Sequence, residues 1–276
     1  MTDLSAWIGR SRSISDTLAA PLVRRLAATL DAEMPAGVVP SHWLPALLFD
    51  DAQPTSALGP DGHPAKGEFL PPVPLPRRML AGRRVAFHAP ARIGQEFSRT
   101  STIEKIEEKQ GRSGRLVFVT VRHATVGPDG PAMTEVQDIV YREAGGGSVA
   151  PRPPEPMPPP AWREACTPDA VLLFRYSAIC FNGHRIHYDA DYARGTEGYP
   201  ALVVNGGLST LLLLEAASRR TGKAIAAFAA RTVAPLFCGR PLSLCGGASD
   251  EAGRALLWAE DDAGALALRL EAEFAR

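Results

Sequence analysis

The stretch "GGLSTLLLLEAASRRTG", residues 206–222, decides the fold, because its predicted helix is apolar on nearly every side. A helix of this kind is buried rather than laid on a surface. Gly222 is typical of the residue that ends a helix. Glu215 and Arg219 are four residues apart in the favourable order and are predicted to form its one polar stripe. We therefore expect a long helix enclosed by other secondary structure.

Two series of strands, over residues 83–143 and residues 223–274, repeat one pattern along the chain. Each series is rich in apolar residues with the alternation that indicates a sheet covered on at least one face. Each also contains a turn between two such runs, "GPDG" at 127–130 and "DDAG" at 261–264. The order of strands and turns therefore indicates a duplication.

A short motif and a second helix extend this repeat. Pro-x-x-x-Gly occurs at 90–94 and again at 235–239. The first half also has a predicted helix ahead of its strands, at 15–34, with Ser15 as the candidate N-cap and Pro21 close to its start. The sequence thus predicts an α+β fold with two copies of a long helix wrapped by an antiparallel sheet, which is the double hot-dog arrangement.

The segment "PRPPEPMPPP", residues 151–160, separates the two copies, and seven of its ten residues are proline. Proline has no backbone N–H to donate, so we expect an extended linker here and neither a helix nor a central strand. The predicted organisation is an N-terminal domain over residues 1–150, a linker over residues 151–168 and a C-terminal domain over residues 169–276.

The composition is that of a globular protein without net charge. Apolar residues make up 45% and charged residues 22%, and 30 basic residues balance 30 acidic ones. A neutral chain has no overall field to attract nucleic acid or an anionic membrane, so neither is expected as a partner. A secretory signal and a membrane-spanning stretch are not evident, which predicts a cytoplasmic protein. The four cysteines have no Cys-x-x-Cys spacing that would indicate a zinc or redox site.

The segment "FNGHRIHYD", residues 181–189, concentrates polar groups suited to acid–base chemistry. Together with its surroundings, residues 175–217, it resembles the MaoC-like branch of hot-dog enzymes, which hydrate enoyl thioesters or dehydrate 3-hydroxyacyl thioesters. "SHW" at 41–43 and "RSGRLVFVTVRH" at 112–123 resemble the N-terminal hot-dog of the two-domain type-2 members, so the resemblance covers nearly the whole chain. It implies an acyl-CoA thioester as substrate, no cofactor, a catalytic C-terminal domain, a non-catalytic N-terminal domain and a homodimer.

The resemblance assigns roles to four residues. His187 stands at the position of the catalytic histidine, and histidine suits that task because its pKa lies near neutrality. Asn182 stands where the family usually has aspartate, and since an amide cannot accept a proton, we expect it to orient the water or the thioester. Gly206 and Gly207 open the long helix, where backbone N–H groups can stabilise charge on the thioester oxygen.

Further candidates for substrate binding or for support of the site are Tyr176, His184, Arg185, Asp189 and Asn205. His184 and Asn205 depart from the usual pattern, which has asparagine and histidine at these places, and His184 is equally consistent with a capping role. His184 and His187 supply only two metal ligands, with Asp189 as the one nearby third, so no metal site is predicted. Arg185 and Arg194 are candidates for pairing with a substrate carboxylate, or belong to an ordinary solvated face.

The resemblance implies reversible hydration of a short, branched dicarboxylic enoyl-CoA, with itaconyl-CoA to citramalyl-CoA as the first choice and mesaconyl-C4-CoA as the second. Such an enzyme needs a short cavity with a basic end. Two alternatives stay open. A 3-hydroxyacyl-carrier-protein dehydratase of fatty-acid synthesis would need a long apolar tunnel through the first half, and Asn182 makes a non-catalytic acyl-thioester-binding protein conceivable.

Overall fold

The computed structural model describes residues 4–49, 52–111, 114–143 and 156–275. The strands are β1 (Ser11–Thr17), β2 (Val38–Val39), β3 (Arg77–Phe87), β4 (Ala91–Arg92), β5 (Glu96–Gly111), β6 (Gly114–Gly127), β7 (Gly130–Arg142), β8 (Trp162–Cys166), β9 (Ile225–Thr232), β10 (Leu242–Gly246), β11 (Arg254–Glu260) and β12 (Leu266–Phe274). The α-helices are α1 (Ala20–Thr29), α2 (Leu44–Leu47), α3 (Ala170–Ile179) and α4 (Gly206–Thr221).

Ten strands form one antiparallel sheet in the order β1-β5-β6-β7-β3-β9-β12-β11-β10-β8. Reading inward from either edge gives equivalent strands of the two halves, so that β1 corresponds to β8, β5 to β10, β6 to β11, β7 to β12 and β3 to β9. The halves meet where β3 pairs with β9, with Val85 opposite Phe228. The α+β double hot-dog fold is confirmed, and its two copies share a continuous sheet.

The strand pattern read from the sequence is also confirmed. In β6 the side chains of Val117, Val119 and Val121 are buried, while the residues between them are only partly covered. The turn at 127–130 joins β6 to β7, and the turn at 261–264 joins β11 to β12. Period-two alternation therefore identified the strands, and the structure shows that the valine face of β6 is the buried one.

The glycines of the repeated motif, Gly94 and Gly239, do the same work in each half. Their φ angles are 88° and 76°, in the left-handed region that glycine enters without steric cost. Gly94 donates its N–H to Leu18 O at 2.9 Å, and Gly239 donates to Pro168 O at 2.8 Å. Leu18 and Pro168 follow the edge strands β1 and β8, so each glycine ties a loop to the edge of its own half.

Helix α4 is the long apolar helix and forms the centre of the largest core. Leu208, Leu211, Leu213 and Leu214 are each at most 3% exposed, and each contributes about 1.5–3 kcal/mol through burial. Gly222 ends the helix in the left-handed conformation, as predicted. In the described ranges no helix combines the length and the apolar character needed to cross a bilayer.

The polar stripe predicted for α4 is instead a contact between the halves. Glu215 accepts hydrogen bonds from His42 Nε2 and Trp43 Nε1, both at 2.8 Å. Arg219 pairs with Glu164 of β8 at 2.8 Å. Arg219 is exposed, as predicted, so the predicted stripe is wrong only at Glu215, which the short turn Ser41–Trp43 of the first half covers.

The long helix predicted over residues 15–34 is a shorter helix preceded by a strand. Ser15 lies in β1, opposite Ser98 of β5, so it is not the N-cap. Helix α1 begins at Ala20 with Pro21 in its first turn, where the missing N–H costs nothing. In position along its half, α1 is the counterpart of α3.

The place equivalent to α4 is filled differently in the first half. Val39 pairs with Ala91, just as Val203 pairs with Phe237 in the second half. Where α4 then begins in the second half, the first half continues with the turn at 41–43 and the four-residue helix α2. In the described part of the first half, the central helix is therefore a single turn followed by a long connection.

The predicted linker, residues 151–168, is shorter than expected. Residues Trp162–Cys166 form β8, which pairs with β10 and places Cys166 opposite Leu242. Residues 151–155 lie outside the described residues. The proline run ends at Pro160, and once backbone N–H groups are available again the chain joins the sheet edge.

Candidate active site

A cavity of about 410 Å³ lies where the two halves meet. Most of the predicted site residues line it, whereas Tyr176, Arg185 and Asp189 are not among the lining residues. The first half contributes an aspartate, a histidine and four arginines to its lining. The lining residues that matter below are Asp61, His63, Arg77, Arg78, Arg83, Arg142, Asn182, His184, His187, Asn205, Gly206 and Gly207.

His187 is built as a neutral base. It ends the short 3₁₀ helix Arg185–His187 and is 7% exposed. Its Nδ1 lies 2.7 Å from Val203 O, and since a carbonyl only accepts, Nδ1 carries the hydrogen and Nε2 keeps its lone pair. Burial lowers the pKa of His187 to about 4. The ring is therefore uncharged at neutral pH and ready to accept a proton through Nε2.

Asn182 combines a structural and a chemical function. Its Oδ1 accepts the backbone N–H of His184 at 3.0 Å, an interaction that closes the turn leading to His187. Its own N–H donates to Ser177 O at 2.8 Å, which fixes the turn on α3. Because Oδ1 is used in this way, the side chain offers its two amide hydrogens to the cavity.

The start of α4 separates the roles of its two glycines. Asn205 is the N-cap, and its Oδ1 accepts the Gly207 N–H at 2.8 Å. The Gly207 N–H is thus already used, so the prediction that both glycines donate to the thioester oxygen is corrected to Gly206 alone. In the part of the chain that the structure describes, the Gly206 N–H has no protein acceptor. It stands at the positive end of a helix of 16 residues.

Gly207 is needed for a different reason. A Cβ at this position would overlap the Tyr176 hydroxyl and lie 3.1 Å from Asn205 Oδ1. Tyr176 is 5% exposed, and burial raises its pKa above the usual value. Tyr176 is therefore a neutral packing partner of the α4 start, and its predicted contact with the substrate is not supported by the cavity lining.

His184 lies between His187 and a histidine of the first half. Its ring meets the His187 ring edge to face, with centroids 5.3 Å apart, and the His63 ring at 4.0 Å. Burial, with the nearby His63 and His187, lowers the pKa of His184 to about 2. The three imidazoles therefore form a row along the cavity in which the central ring is neutral.

Asp61 and His63 reach this row from the segment "GPDGHP", residues 59–64. Asp61 Oδ2 lies 3.0 Å from His63 Nδ1. One ligand atom each from Asp61, His63 and His184 lie within 4.8 Å of one another, a spacing that permits a metal ion. The expectation that Asp189 is the nearest third group is therefore wrong. A turn motif with an aspartate and a histidine was visible in the sequence, but its distance along the chain hid its neighbours.

The arginines expected to meet a carboxylate are engaged elsewhere. Arg185 pairs with Asp189 at 2.7 Å and also donates to Pro60 O at 3.1 Å. The N–H of Tyr192 and Arg185 itself lower the pKa of Asp189, which is thus a fixed partner of the loop. Arg194 is exposed and donates to Pro200 O. Neither Arg185 nor Arg194 lines the cavity.

Four other arginines line the cavity, namely Arg77, Arg78, Arg83 and Arg142. Arg83 pairs with Glu135 at 2.7 Å, and Arg77 lies 3.6 Å from a Glu197 carboxylate oxygen. Within the described ranges, Arg78 and Arg142 have no carboxylate at ion-pair distance. Arg78 makes a long contact of 3.4 Å to Pro64 O and lies close to the Tyr141 hydroxyl, while its charge helps to lower the pKa of Asp61 and His184.

Comparisons with known proteins show which family and fold this chain resembles. The family model for hydroxyacyl-thioester dehydratase type 2 matches residues 42–238. A mesaconyl-C(4)-CoA hydratase of Chloroflexus aurantiacus is 44% identical over 252 residues, 88% of this chain and 88% of that protein. A MaoC-like dehydratase of Phytophthora capsici superposes with a TM-score of 0.72 at 14% identity, over 97% of this chain and 96% of that one. A double hot-dog protein of Mycobacterium tuberculosis gives 0.59 at 15% identity, over 97% and 96%.

Fold and family together define a MaoC-like hot-dog hydratase or dehydratase. The chain belongs to the hydroxyacyl-thioester dehydratase type 2 family and is a hydro-lyase. Since the enzyme class follows from this membership, the non-catalytic binding alternative is set aside.

Proposed function

We propose that this enzyme hydrates a short, branched dicarboxylic enoyl-CoA. The observation that carries the proposal is Arg78, a cation in the same cavity as His187 that has no carboxylate partner among the described residues. The substrate in the name of the Chloroflexus relative has a free carboxylate, which supports mesaconyl-C4-CoA over itaconyl-CoA, the first choice from the sequence.

The residues of the cavity divide the reaction among them. His187 Nε2 takes a proton from water while the water oxygen attacks the β carbon of the enoyl group. Negative charge that develops on the thioester oxygen is met by the Gly206 N–H and the positive end of α4. Asn182 holds the water or the acyl group through its amide hydrogens. Uptake of a proton at the α carbon completes the hydration, and the reverse sequence of steps is the dehydration of a 3-hydroxyacyl thioester.

Arg78 is suited to bind the free carboxylate of such a substrate. A guanidinium can bind a carboxylate through two parallel hydrogen bonds, which fixes the acyl chain as well as neutralising it. Arg83 already has a carboxylate partner and Arg77 lies near one. We assign Arg78 the role that the sequence gave to Arg185 and Arg194, because their partners and positions keep those two away from the cavity.

The test compares three thioesters by the loss of enoyl-thioester absorbance. Mesaconyl-C4-CoA, itaconyl-CoA and crotonyl-CoA share the CoA group, and only the first two have a free carboxylate. We expect turnover of a dicarboxylic substrate at a higher kcat/KM than that of crotonyl-CoA. Faster turnover of crotonyl-CoA would overturn the dicarboxylate proposal, and turnover of a carrier-protein thioester alone would favour the fatty-acid dehydratase.

Replacing Arg78 tests whether this residue causes the preference for a dicarboxylic substrate. Arg78→Met removes the charge and keeps much of the side-chain volume. A hydrogen bond to a charged group contributes about 1.5–3 kcal/mol, so KM for the dicarboxylic substrate should rise about 10–100-fold while crotonyl-CoA kinetics stay unchanged. Arg84→Met is the matched control, because Arg84 is more than half exposed and pairs with Asp138. Equal effects of Arg78→Met on both substrates would contradict the assignment.

The rest of the proposal follows from this chemistry. No cofactor is required, because addition of water forms a C–O bond and transfers protons without net oxidation or reduction, and the CoA group arrives with the substrate. We further propose a cytoplasmic enzyme that acts as a homodimer and has neither nucleic acid nor a membrane as partner. A long-chain acyl group on a carrier protein is less well matched to this cavity, since such a chain needs an apolar lining and four arginines line the cavity.

A further inference from the structure

The connection between α2 and β3, residues 48–76, is long where its counterpart is short. In the second half only residues 222–224 join α4 to β9. Connections of this length without extensive regular structure are uncommon in compact domains and are usually functional. The first half thus has a long segment in place of a long central helix, and this segment reaches the cavity between the halves.

The tip of this segment is rigidly formed. Leu58 and Pro64 make an isolated β-bridge, and Gly59 N–H donates to His63 O at 2.7 Å. Further along, Lys66 Nζ donates to Val73 O and Leu75 O at 3.0 and 2.6 Å. The side chains of Val73 and Leu75 are buried in the core of the first half. The segment is therefore a built structure and holds its polar tip in one place.

The tip also contacts, through the backbone, the loop of residues 181–189 that contains His184 and His187, called the catalytic loop below. The Arg185 N–H donates to Asp61 O at 2.9 Å, and its guanidinium donates to Pro60 O at 3.1 Å. A Cβ at Gly62 would overlap Gly183 O, so the two loops approach as closely as glycine permits. This contact fixes Asp61 and His63 relative to His184 and His187.

The Asp61 carboxylate is ionised and is directed at His63. Burial would raise the pKa of Asp61, but the hydrogen bond and charge of His63 outweigh burial and hold the pKa below its usual value. A carboxylate on Nδ1 orients the imidazole and stabilises a proton on the ring. Asp61 on its own loop faces His63, Arg78 on β3 lines the same cavity, and the rings of His184 and His187 on the loop of the other half are neutral.

We propose that His63, positioned by Asp61, is the second acid–base group of the reaction and replaces the carboxylate that is absent at Asn182. The inference rests on the proposed hydratase function. It makes the first half part of the catalytic apparatus, in contrast to the non-catalytic role expected from the sequence. Asp61 acts through His63 and is a positioning residue.

The proton and electron changes balance with two histidines. Water gives one proton to His187 Nε2 and its oxygen bonds to the β carbon. The π electrons of the double bond move towards the thioester carbonyl, and the α carbon then takes a proton from protonated His63. Return of one proton from His187 to His63 through solvent restores both rings. The net change is the addition of one water molecule across the double bond.

The test uses the full chain and whichever thioester the wild-type enzyme turns over fastest. For His63→Gln we expect kcat to fall about 10²–10⁴-fold with little change in KM. The alkaline limb of the pH profile, which reports the protonated acid, should disappear. Asp61→Asn should lower kcat less and move that limb to lower pH, because the carboxylate no longer stabilises the proton. Added imidazole should restore part of the activity of His63→Ala.

Controls separate chemistry from folding and from the proposed function. His88→Gln alters an exposed histidine of the first half that is bonded to Thr134, and it should leave activity unchanged. If His63→Gln fails to fold, the pH profile of Asp61→Asn decides. An active wild type whose His63→Gln variant keeps kcat within about tenfold, with both limbs intact, overturns the inference alone. A stoichiometric metal ion on Asp61, His63 and His184 in the purified enzyme overturns it too, since the ring would then be a ligand. A wild type inactive on every thioester overturns the proposed function and this inference with it.

Discussion

At the level of single residues, His187 shows how a buried histidine stays a base. Its Nδ1–H is held by Val203 O, and burial keeps the ring neutral. His187→Ala should lower kcat about 10²–10⁴-fold, measured as loss of enoyl-thioester absorbance, without preventing folding. The base is protonated only as the pH falls through about 4, so the acid limb of kcat/KM should lie there and not near the ordinary histidine value. A His187→Ala enzyme with near wild-type activity would contradict the mechanism.

Asn182 poses the second question at this scale, because an amide replaces the expected carboxylate. Asn182→Asp keeps an oxygen that can accept the His184 N–H, so the turn should form as before. We expect part of the activity to remain, since the usual family residue is restored. The kcat of this variant, with its thermal unfolding as the folding control, measures the effect. Complete loss of activity in a folded variant would mean that the amide hydrogens are required.

At the level of elements, the two adjacent glycines that begin α4 are needed for different reasons. A Cβ at Gly207 would overlap the Tyr176 hydroxyl, whereas a Cβ at Gly206 meets nothing closer than Thr232 Oγ1 at 3.9 Å. Gly207→Ala should therefore lower the free energy of unfolding by about 1–3 kcal/mol in a urea titration. Gly206→Ala is the matched control and should leave stability nearly unchanged, while its methyl group hinders approach of the thioester and lowers activity.

A double substitution identifies the cause of the Gly207 effect. Tyr176→Phe removes the hydroxyl that the new Cβ would meet. Gly207→Ala combined with Tyr176→Phe should recover most of the stability lost by Gly207→Ala alone, which is the non-additive behaviour of residues in contact. Strict additivity of the two changes would show that the overlap is not the source of the loss.

At the level of the whole molecule, duplication has produced two unequal halves around one sheet. The second half keeps the long buried helix, whose first turn faces the cavity, and the first half keeps a single helical turn and a long connection. The shared sheet, joined at β3 and β9, places that connection over the catalytic loop of the other half. The cavity therefore requires both halves, and neither copy contains it alone.

The proposed homodimer has a candidate interface on and near helix α3. Helix α3 exposes Val171 and Phe174 at 60% and 64%, and Phe181 nearby is 59% exposed, which is an unusual amount of apolar surface for one side of a monomer. Phe174→Glu should shift the protein from dimer to monomer in size-exclusion chromatography with light scattering. Ile8→Glu, at an exposed apolar residue of the first half, is the control and should leave the dimer intact. A monomeric wild type would contradict the proposal.

His187 was predicted from the family resemblance of residues 175–217, whereas local pattern was enough to predict the strands, their turns and the buried helix α4. These features depend on alternation, helical periodicity and short motifs, which neighbouring residues determine among themselves. The prediction of the first-half helix was wrong because tertiary context decided its limits. Ser15 pairs with β5 instead of capping a helix, and Pro21 then sets the start of α1.

The sequence by itself was enough to predict the duplicated fold and, through the family resemblance of one segment, the candidate base His187. Both predictions depend on contiguous stretches of sequence. Only the tertiary structure decided which side chains share the cavity. Asp61 and His63 meet His184 across more than a hundred residues of chain, Arg78 takes the place that Arg185 seemed to hold, and the Gly207 N–H is claimed by Asn205. Such contacts depend on how β3 and β9 join the halves into one sheet, and this pairing brings together residues that no local pattern connects.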